Sequence, residues 1–146
     1  MSTKLSPHFT LEELTFSEAA ARNDWDNTPD AQQTENLVRL ADLLEEVRME
    51  FLAPIIINSG YRNEKANAAV GGKPNSQHRF GCAADFRIPK MTPAEICRKI
   101  KDSGIIYDQL IQEFDSWVHI SVPTDPDGKP RRQALIINRA GVRPFI

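Results

Sequence analysis

The chain has 146 residues, 40% hydrophobic and 26% charged, with a formal net charge of −2, which fits one ordinary globular domain spanning 1–146 with a real core. Such a charge supplies no basic field for nucleic acid, and no apolar run approaches the ~18 residues of a membrane span. The opening Met1-Ser-Thr-Lys-Leu-Ser-Pro-His-Phe lacks the apolar stretch of a secretory signal, so the expectation is cytoplasmic synthesis with any export by another route.

In chain order, residues 7–14 are predicted as a short helix, with Thr10 and Glu13 forming a capping box. Residues 16–29 read as irregular. Thr28-Pro29 is then predicted to open a helix, Thr as cap and Pro in the first turn. Leu37, Leu40, Ala41, Leu44, Val47 and Phe51 recur at three- and four-residue steps and carry this core helix to about Phe51, before Pro54. Residues 55–58 read as a buried strand. The Gly-rich, polar segment 59–81 reads as a functional loop, with a short helix over 64–70. Residues 82–88 form a strand. Thr92-Pro93-Ala94-Glu95 opens a helix that ends near Ser103-Gly104. Strands are expected at 107–114, 117–122 and 133–138, the last two joined by a turn at Asp127-Gly128. The predicted fold class is α+β, a small antiparallel sheet packed by helices. Cys82 and Cys97, the two cysteines, are neither a disulfide framework nor a CxxC pair and read as small buried hydrophobes.

The chemistry-bearing residues emerge from strand alternation. In 82–88, Cys82, Ala84, Phe86 and Ile88 share the core face, and Asp85 lies on the other face with Ala83 and Arg87. In 117–122, Val118, Ile120 and Val122 face the core, and Trp117, His119 and Ser121 face away. His78 lies seven residues before Asp85, and Gly81 between them lets the chain turn. Two histidines and a carboxylate are a three-ligand set for catalytic zinc with a position left open, although in isolation each of these residues is more often structural.

Ser76-Gln-His78-Arg-Phe-Gly81-Cys-Ala83-Ala-Asp85 resembles the SxHxxGxAxD signature of the zinc D-alanyl-D-alanine peptidases. That family includes carboxypeptidases, dipeptidases and phage endolysins, and the hedgehog signalling domain shares its fold. Ser59-Gly60-Tyr61-Arg62 resembles the family's upstream SGYR motif, and Trp117-Val-His119-Ile its last metal-binding strand. The three blocks occur in the family's order, and the resemblance covers roughly residues 8–140.

The resemblance implies that His78, Asp85 and His119 hold Zn2+. It implies that Arg62 and Ser76 bind a substrate carboxylate or carbonyl near the metal, an arginine fork suiting a carboxylate. The alternative for Arg62 is a surface salt bridge, and for Ser76 a turn or cap. Trp117 is expected either to line the substrate cleft and shield the metal or to anchor the hairpin. For the general base, some members place Glu three residues before the last histidine, where this chain has Ser116; others place it six before, which is Glu113. If Asp115, Ser116 and Trp117 form the hairpin tip, Glu113 lies opposite His119 and shares its face. A two-residue tip would turn Glu113 into the core. Asp115 is the second candidate. His8 reads as a surface or packing residue, and Lys129, Arg131 and Arg132 as a solvated turn or an attractor for an anionic wall.

The implied activity is hydrolysis of peptidoglycan stem peptides containing D-amino acids, by a monomer without nucleic-acid or membrane partners. The missing signal suits a phage-type endolysin released at lysis. The rival expectation is a non-catalytic zinc-binding module of the same fold, a phage structural or wall-binding protein. A working base beside the metal discriminates the two. The bond cut, at a peptide's end or within it, is left to the shape of the 59–81 loop.

Overall fold

The structure is a computed structural model and describes residues 3–146. Residues 4–10 are not helical. They pair as two short strands, β1 (Lys4–Ser6) and β2 (Phe9–Thr10). Helix α1 (Leu11–Thr15) starts only where the Thr10/Glu13 capping box permits. Glu45 ties this unit to the main helix: its carboxylate accepts from the Ser6 hydroxyl at 2.6 Å and from the His8 N–H at 2.7 Å, and pairs with the His8 ring at 2.7 Å. That gives His8 its packing role. The stretch read as irregular contains α2 (Glu18–Arg22), capped by Ser17 and too short to show a period.

The core helix α3 (Ala31–Phe51) begins later than Thr28-Pro29 suggests. Asp30 and Gln33 form a reciprocal capping box, whereas Thr28 is bound by Asp26 through both its N–H (3.0 Å) and hydroxyl (2.6 Å). The helix ends before Pro54, with Leu52 left-handed at φ 50°. Leu37, Leu40, Ala41, Leu44 and Val47 are fully buried, as their periodicity requires. Then follow β3 (Ile56–Ser59), α4 (Glu64–Ala69), a 3-10 turn (Gln77–Phe80), β4 (Ala83–Arg87) and α5 (Pro93–Ser103). The chain closes with β5 (Gln109–Glu113), β6 (Trp117–Ser121), β7 (Gln133–Asn138) and β8 (Gly141–Pro144).

The architecture is α+β. Helices α3 and α5 pack on one face of a six-stranded sheet of order β3-β4-β6-β5-β7-β8, through Leu40, Leu44, Ile96 and Ile100 against Phe86, Leu110, Val118 and Ile120. The sheet is not wholly antiparallel: β5 and β7 pair in parallel. The expected hairpin across Asp127-Gly128 is absent, because β6 and β7 are not neighbours. The turn there, Gly128 N–H to the Asp125 carbonyl at 2.9 Å, sits in a crossover that passes β5. The crossover is fixed by Asp108, buried at 3% exposure, whose carboxylate receives the Arg131 guanidinium at 2.6 Å and the Arg131 N–H at 2.9 Å. Arg131 therefore belongs to a buried-carboxylate clamp rather than to a solvated hairpin turn. Strand β8, unpredicted, pairs with β7 around Arg139-Ala140, where the Asn138 side chain accepts from the Ala140 N–H at 2.9 Å. Both cysteines are free and buried, and burial pushes the Cys97 thiol up to about 12. No helix among the described residues is long and apolar enough to cross a membrane.

Candidate active site

The face of the sheet away from α3 and α5 carries the polar residues. Asp85 on β4 lies directly opposite His119 on β6, and Ser59 on β3 directly opposite Asp85. Pairing partners project to the same side, so carboxylate and imidazole meet, 3.0 Å from Asp85 Oδ1 to His119 Nδ1. The 3-10 turn delivers His78 from above, its Nε2 3.3 Å from the same oxygen. One donor atom from each of the three lies within 4.8 Å of the others. Donors on a tetrahedral zinc at ~2.0 Å stand ~3.3 Å apart, so the spacing and the N, N, O chemistry fit that ion. All three are buried, at 3%, 8% and 7% exposure for His78, Asp85 and His119. Burial acts to raise the Asp85 pKa, but the imidazoles of His78 and His119 outweigh it and hold the carboxyl far below its usual range.

The Ser59-Gly60-Tyr61-Arg62 segment cradles His78. Its Nδ1 lies 2.8 Å from the Gly60 carbonyl. A carbonyl only accepts, so Nδ1 carries the proton and the Nε2 lone pair is directed at the cluster. The Arg62 N–H returns a bond to the His78 carbonyl at 3.0 Å. A side chain at Gly60 would collide with the Leu14 carbonyl, which already accepts from the Tyr61 N–H at 2.7 Å. Gly81 closes the turn at φ +76°, packed against the Gln33 carbonyl. Ser76 caps the turn, its hydroxyl accepting from the His78 N–H at 3.3 Å, and it also lines a cleft beside His119.

The hairpin joining β5 and β6 has a tip one residue earlier than expected. Glu113 pairs with Trp117, and Ile111 rather than Glu113 lies opposite His119. Phe114 and Asp115 occupy the tip at φ 52° and 55°, closed by the Ser116 N–H to the Glu113 carbonyl at 2.9 Å. Moving Glu113's partner by two residues preserves its face, because side chains alternate with period two. Glu113 thus remains on the His119 side, its Oε1 4.0 Å from His119 Nδ1. The Trp117 indole N–H donates to Glu113 Oε2 at 2.8 Å, a role for Trp117 that sequence alone did not suggest. Burial, reinforced by the charge of Asp85, raises the Glu113 pKa above its ordinary value. Asp115 is exposed at the tip and accepts from the Gln112 amide at 2.8 Å; it is not part of the cluster.

Two clefts reach the cluster. One, of about 340 Å3, is lined by Asp85, Arg62 and Trp117 together with residues of α2. The other, of about 490 Å3, is lined by His119, Ser76 and Ile111 together with residues of β7 and β8. Arg62 is no surface salt bridge. Its buried Nε has no hydrogen-bond partner among the described residues, burial lowers its pKa, and the charges of Asp85 and Glu113 oppose that effect. Such a desolvated cation beside an open cleft suits a carbonyl or carboxylate ligand. A supporting network lies behind His78: the Gln77 amide donates to Asp108 Oδ2 at 2.9 Å and to the Val122 carbonyl at 3.1 Å. Asp108 and Gln77 carried no signal in the sequence, since their partners are 31 positions apart.

A comparison with curated proteins gives no match. The sequence profile described as Peptidase M15 matches residues 7–121, a stretch that contains His78, Asp85, His119, Glu113, Arg62, Ser76 and Trp117 and ends with β6. With most of its length so matched and a His-Asp-His cluster that fits a metal site, the chain belongs to the peptidase M15 family of metal-dependent peptidases.

Proposed function

We propose that the protein is a zinc peptidase hydrolysing peptidoglycan stem peptides that contain D-amino acids, with His78, Asp85 and His119 holding Zn2+ and Glu113 as general base. The observation that carries this reading is the placement of Glu113. One carboxylate oxygen is held by the Trp117 indole at 2.8 Å and the other is directed at the metal cluster, 4.0 Å from His119 Nδ1. A non-catalytic zinc module has no use for a half-buried carboxylate with a raised pKa in that place. Zinc in such a site polarises a peptide carbonyl and lowers the pKa of water. Glu113 Oε1 accepts the proton of the attacking water and later delivers it to the leaving amine. The Arg62 guanidinium binds the substrate carbonyl or carboxylate, and the Ser76 hydroxyl, after capping the His78 turn, contacts the peptide from the other cleft. Trp117 orients Glu113 and walls the Asp85 side.

The two clefts on either side of the cluster favour cleavage within a peptide over trimming of its end, since each offers room for a residue flanking the scissile bond. The wall peptide as substrate and the endolysin role, as a monomer released at lysis, both rest on the resemblance of the three motifs. Zinc-loaded protein incubated with a defined muropeptide should give products by mass spectrometry that disappear with chelator. Glu113→Gln should bind zinc at the same stoichiometry and lose turnover by about 10^2–10^4-fold. Full activity in that variant removes Glu113 as base, and an intact muropeptide after incubation with wild type removes the substrate assignment.

A further inference from the structure

Residues 60–63 link β3 to α4 and belong to neither. Two groups of the site depend on their course. The Gly60 carbonyl lies 2.8 Å from His78 Nδ1, and the Arg62 side chain lines the cleft beside Asp85. Without a ladder or a helix, the backbone groups of this strap need partners elsewhere. The Tyr61 N–H donates to the Leu14 carbonyl at 2.7 Å, and the Arg62 N–H to the His78 carbonyl at 3.0 Å. The two groups that flank Arg62, the Tyr61 carbonyl and the Asn63 N–H, both go to one side chain, that of Asn27.

Asn27 is half-buried in the loop between α2 and α3. Its Nδ2 donates to the Tyr61 carbonyl at 3.0 Å, and its Oδ1 accepts from the Asn63 N–H at 2.8 Å. Nδ2 also donates at 2.7 Å to the carbonyl of Thr15, the last residue of α1. Both donor hydrogens of the amide are therefore used. Its orientation is set by its partners, since two carbonyls only accept and an N–H only donates. The last two carbonyls of α1 thus hold the strap, Leu14 directly and Thr15 through Asn27. The grip is mutual: the Asn63 side chain donates to the Asp26 carbonyl at 2.7 Å and caps α4 through the Ala66 N–H at 2.7 Å. Asn27 itself lines neither cleft at the cluster.

We propose that Asn27 is a positioning residue of the site: it clamps the peptide groups on either side of Arg62 to the end of α1, and so sets where the guanidinium meets substrate and where the Gly60 carbonyl meets His78. Arg62 needs such help, because its Nε has no hydrogen-bond partner among the described residues. The direction of the guanidinium then depends on the backbone that carries it. His78 needs it because the bond at Nδ1 decides which ring nitrogen is left for a metal. The role at Arg62 rests on the peptidase reading above. The role at His78 rests on the His-Asp-His cluster alone.

The test is a double-mutant cycle on the full-length protein at saturating zinc, with Arg62→Met as the second substitution and a defined muropeptide as substrate. Asn27→Ala should lower kcat/KM by about tenfold or more. In the Arg62→Met background it should lower it by less than about twofold, because no guanidinium is left to place. A loop staple that serves the fold alone gives the same loss in both backgrounds. Two further readouts do not need turnover. In competition with a chelator, Asn27→Ala should raise the zinc dissociation constant about tenfold, the scale seen when the outer partner of a metal-bound imidazole is disturbed. Amide exchange should rise at Tyr61 and Arg62, whose own acceptors the substitution leaves in place, and stay at the wild-type rate in β4 and β6. Should Asn27→Ala melt more than about 5 °C below wild type, Asn27→Asp takes its place; it is close in shape and still accepts from the Asn63 N–H, but its carboxylate cannot donate to the Thr15 and Tyr61 carbonyls. Equal losses in both backgrounds overturn the role at Arg62, and wild-type zinc affinity overturns the role at His78, each leaving the peptidase intact. Unchanged exchange at Tyr61 and Arg62 overturns the clamp as a whole. Cleavage of no peptide by wild type overturns the peptidase reading and the role at Arg62 with it, and the zinc dissociation constant then decides the role at His78.

Discussion

Trp117 on β6 is half-buried, and its indole N–H lies 2.8 Å from Glu113 Oε2. A Phe there would fill a similar volume against the hairpin, yet only an indole donates a hydrogen bond to Glu113 Oε2. A hydrogen bond to a charged group contributes about 1.5–3 kcal/mol, and this one favours the ionised carboxylate, acting against the burial that raises the Glu113 pKa. Trp117→Phe therefore leaves Glu113 more basic and less firmly oriented. The expected outcome is a fall in kcat of about tenfold or more, little change in KM, unchanged zinc content, and an acidic limb of the pH–rate profile moved to higher pH. A profile that keeps its acidic limb in place assigns Trp117 to packing alone. The face shared by Glu113 and His119 is legible in the sequence because it depends only on parity: the tip differs from the expected one, but Glu113's partner moves by two residues and the side is kept. Trp117's bond was not legible, since two residues known to share a face need not touch.

At the scale of elements, the Asp108–Arg131 clamp joins the start of β5 to the crossover, and Gln77 extends it to the turn that presents His78. Burial, the largest influence on Asp108, acts to raise its pKa, but the bonds from Arg131 and Gln77 prevail and hold it below the usual value. A folded-state pKa below the unfolded ~3.9 means that the unfolded chain takes up the proton first as pH falls. The stabilisation is thus fully present above the ordinary carboxyl range and is lost as pH drops through the folded value. Asp108→Asn should lower stability by about 1–3 kcal/mol at pH 7, read from urea midpoints, and the difference from wild type should shrink at about pH 3.5. An equal gap at both pH values excludes an ionic origin. This clamp also marks where sequence reading stops. The alternation of Cys82, Ala84, Phe86 and Ile88 and the stripe from Leu37 to Val47 are local periods, and they gave β4 and α3 their correct faces. The Thr92 and Gly104 caps are local too, and they gave the ends of α5, whereas the Thr10/Glu13 box was legible but the helix was expected to start three residues before it. The parallel pairing of β7 with β5 is a choice of neighbour made over 23 positions of chain, between Asp108 and Arg131, and no local pattern encodes it. Strand β8 escaped notice because Gly141 and Pro144 are poor strand formers tolerated on an edge. Of the site, SxHxxGxAxD with SGYR marked the segments that bring His78 and Asp85 together, but that Gly60 supplies the carbonyl for His78 is a tertiary fact.

For the whole molecule, the His78–Asp85–His119 cluster is where parts distant in sequence meet. His78 comes from the 3-10 turn, Asp85 from β4 and His119 from β6. β4 and β6 are held by their ladder whatever fills the site. The turn is held by scattered bonds instead of a ladder: the Gly60 cradle, the Ser76 cap, the Gln77 network, and the Gln33 and Asn36 amides on the Arg79 and Phe80 carbonyls. A ligand bound only by the folded state adds RT ln(1 + [L]/Kd), about 2.7 kcal/mol at a hundredfold excess over Kd. Zinc should therefore raise the melting temperature of the wild type by several degrees, about 2–4 °C per kcal/mol for a chain near this length. It should do nothing of the kind in Asp85→Ala, which removes the oxygen that both imidazoles approach. The local response should be uneven. Amide exchange on chelation is expected to rise most in the turn 77–80 and in the 60–62 segment bonded to it, and least in β4 and β6, because the former lose a tether and the latter keep theirs. A zinc-dependent shift of equal size in Asp85→Ala places the metal elsewhere on the chain. A uniform change in exchange across turn and sheet means that the metal stabilises the fold as one unit, and the turn then has no mobility of its own for the metal to restrain.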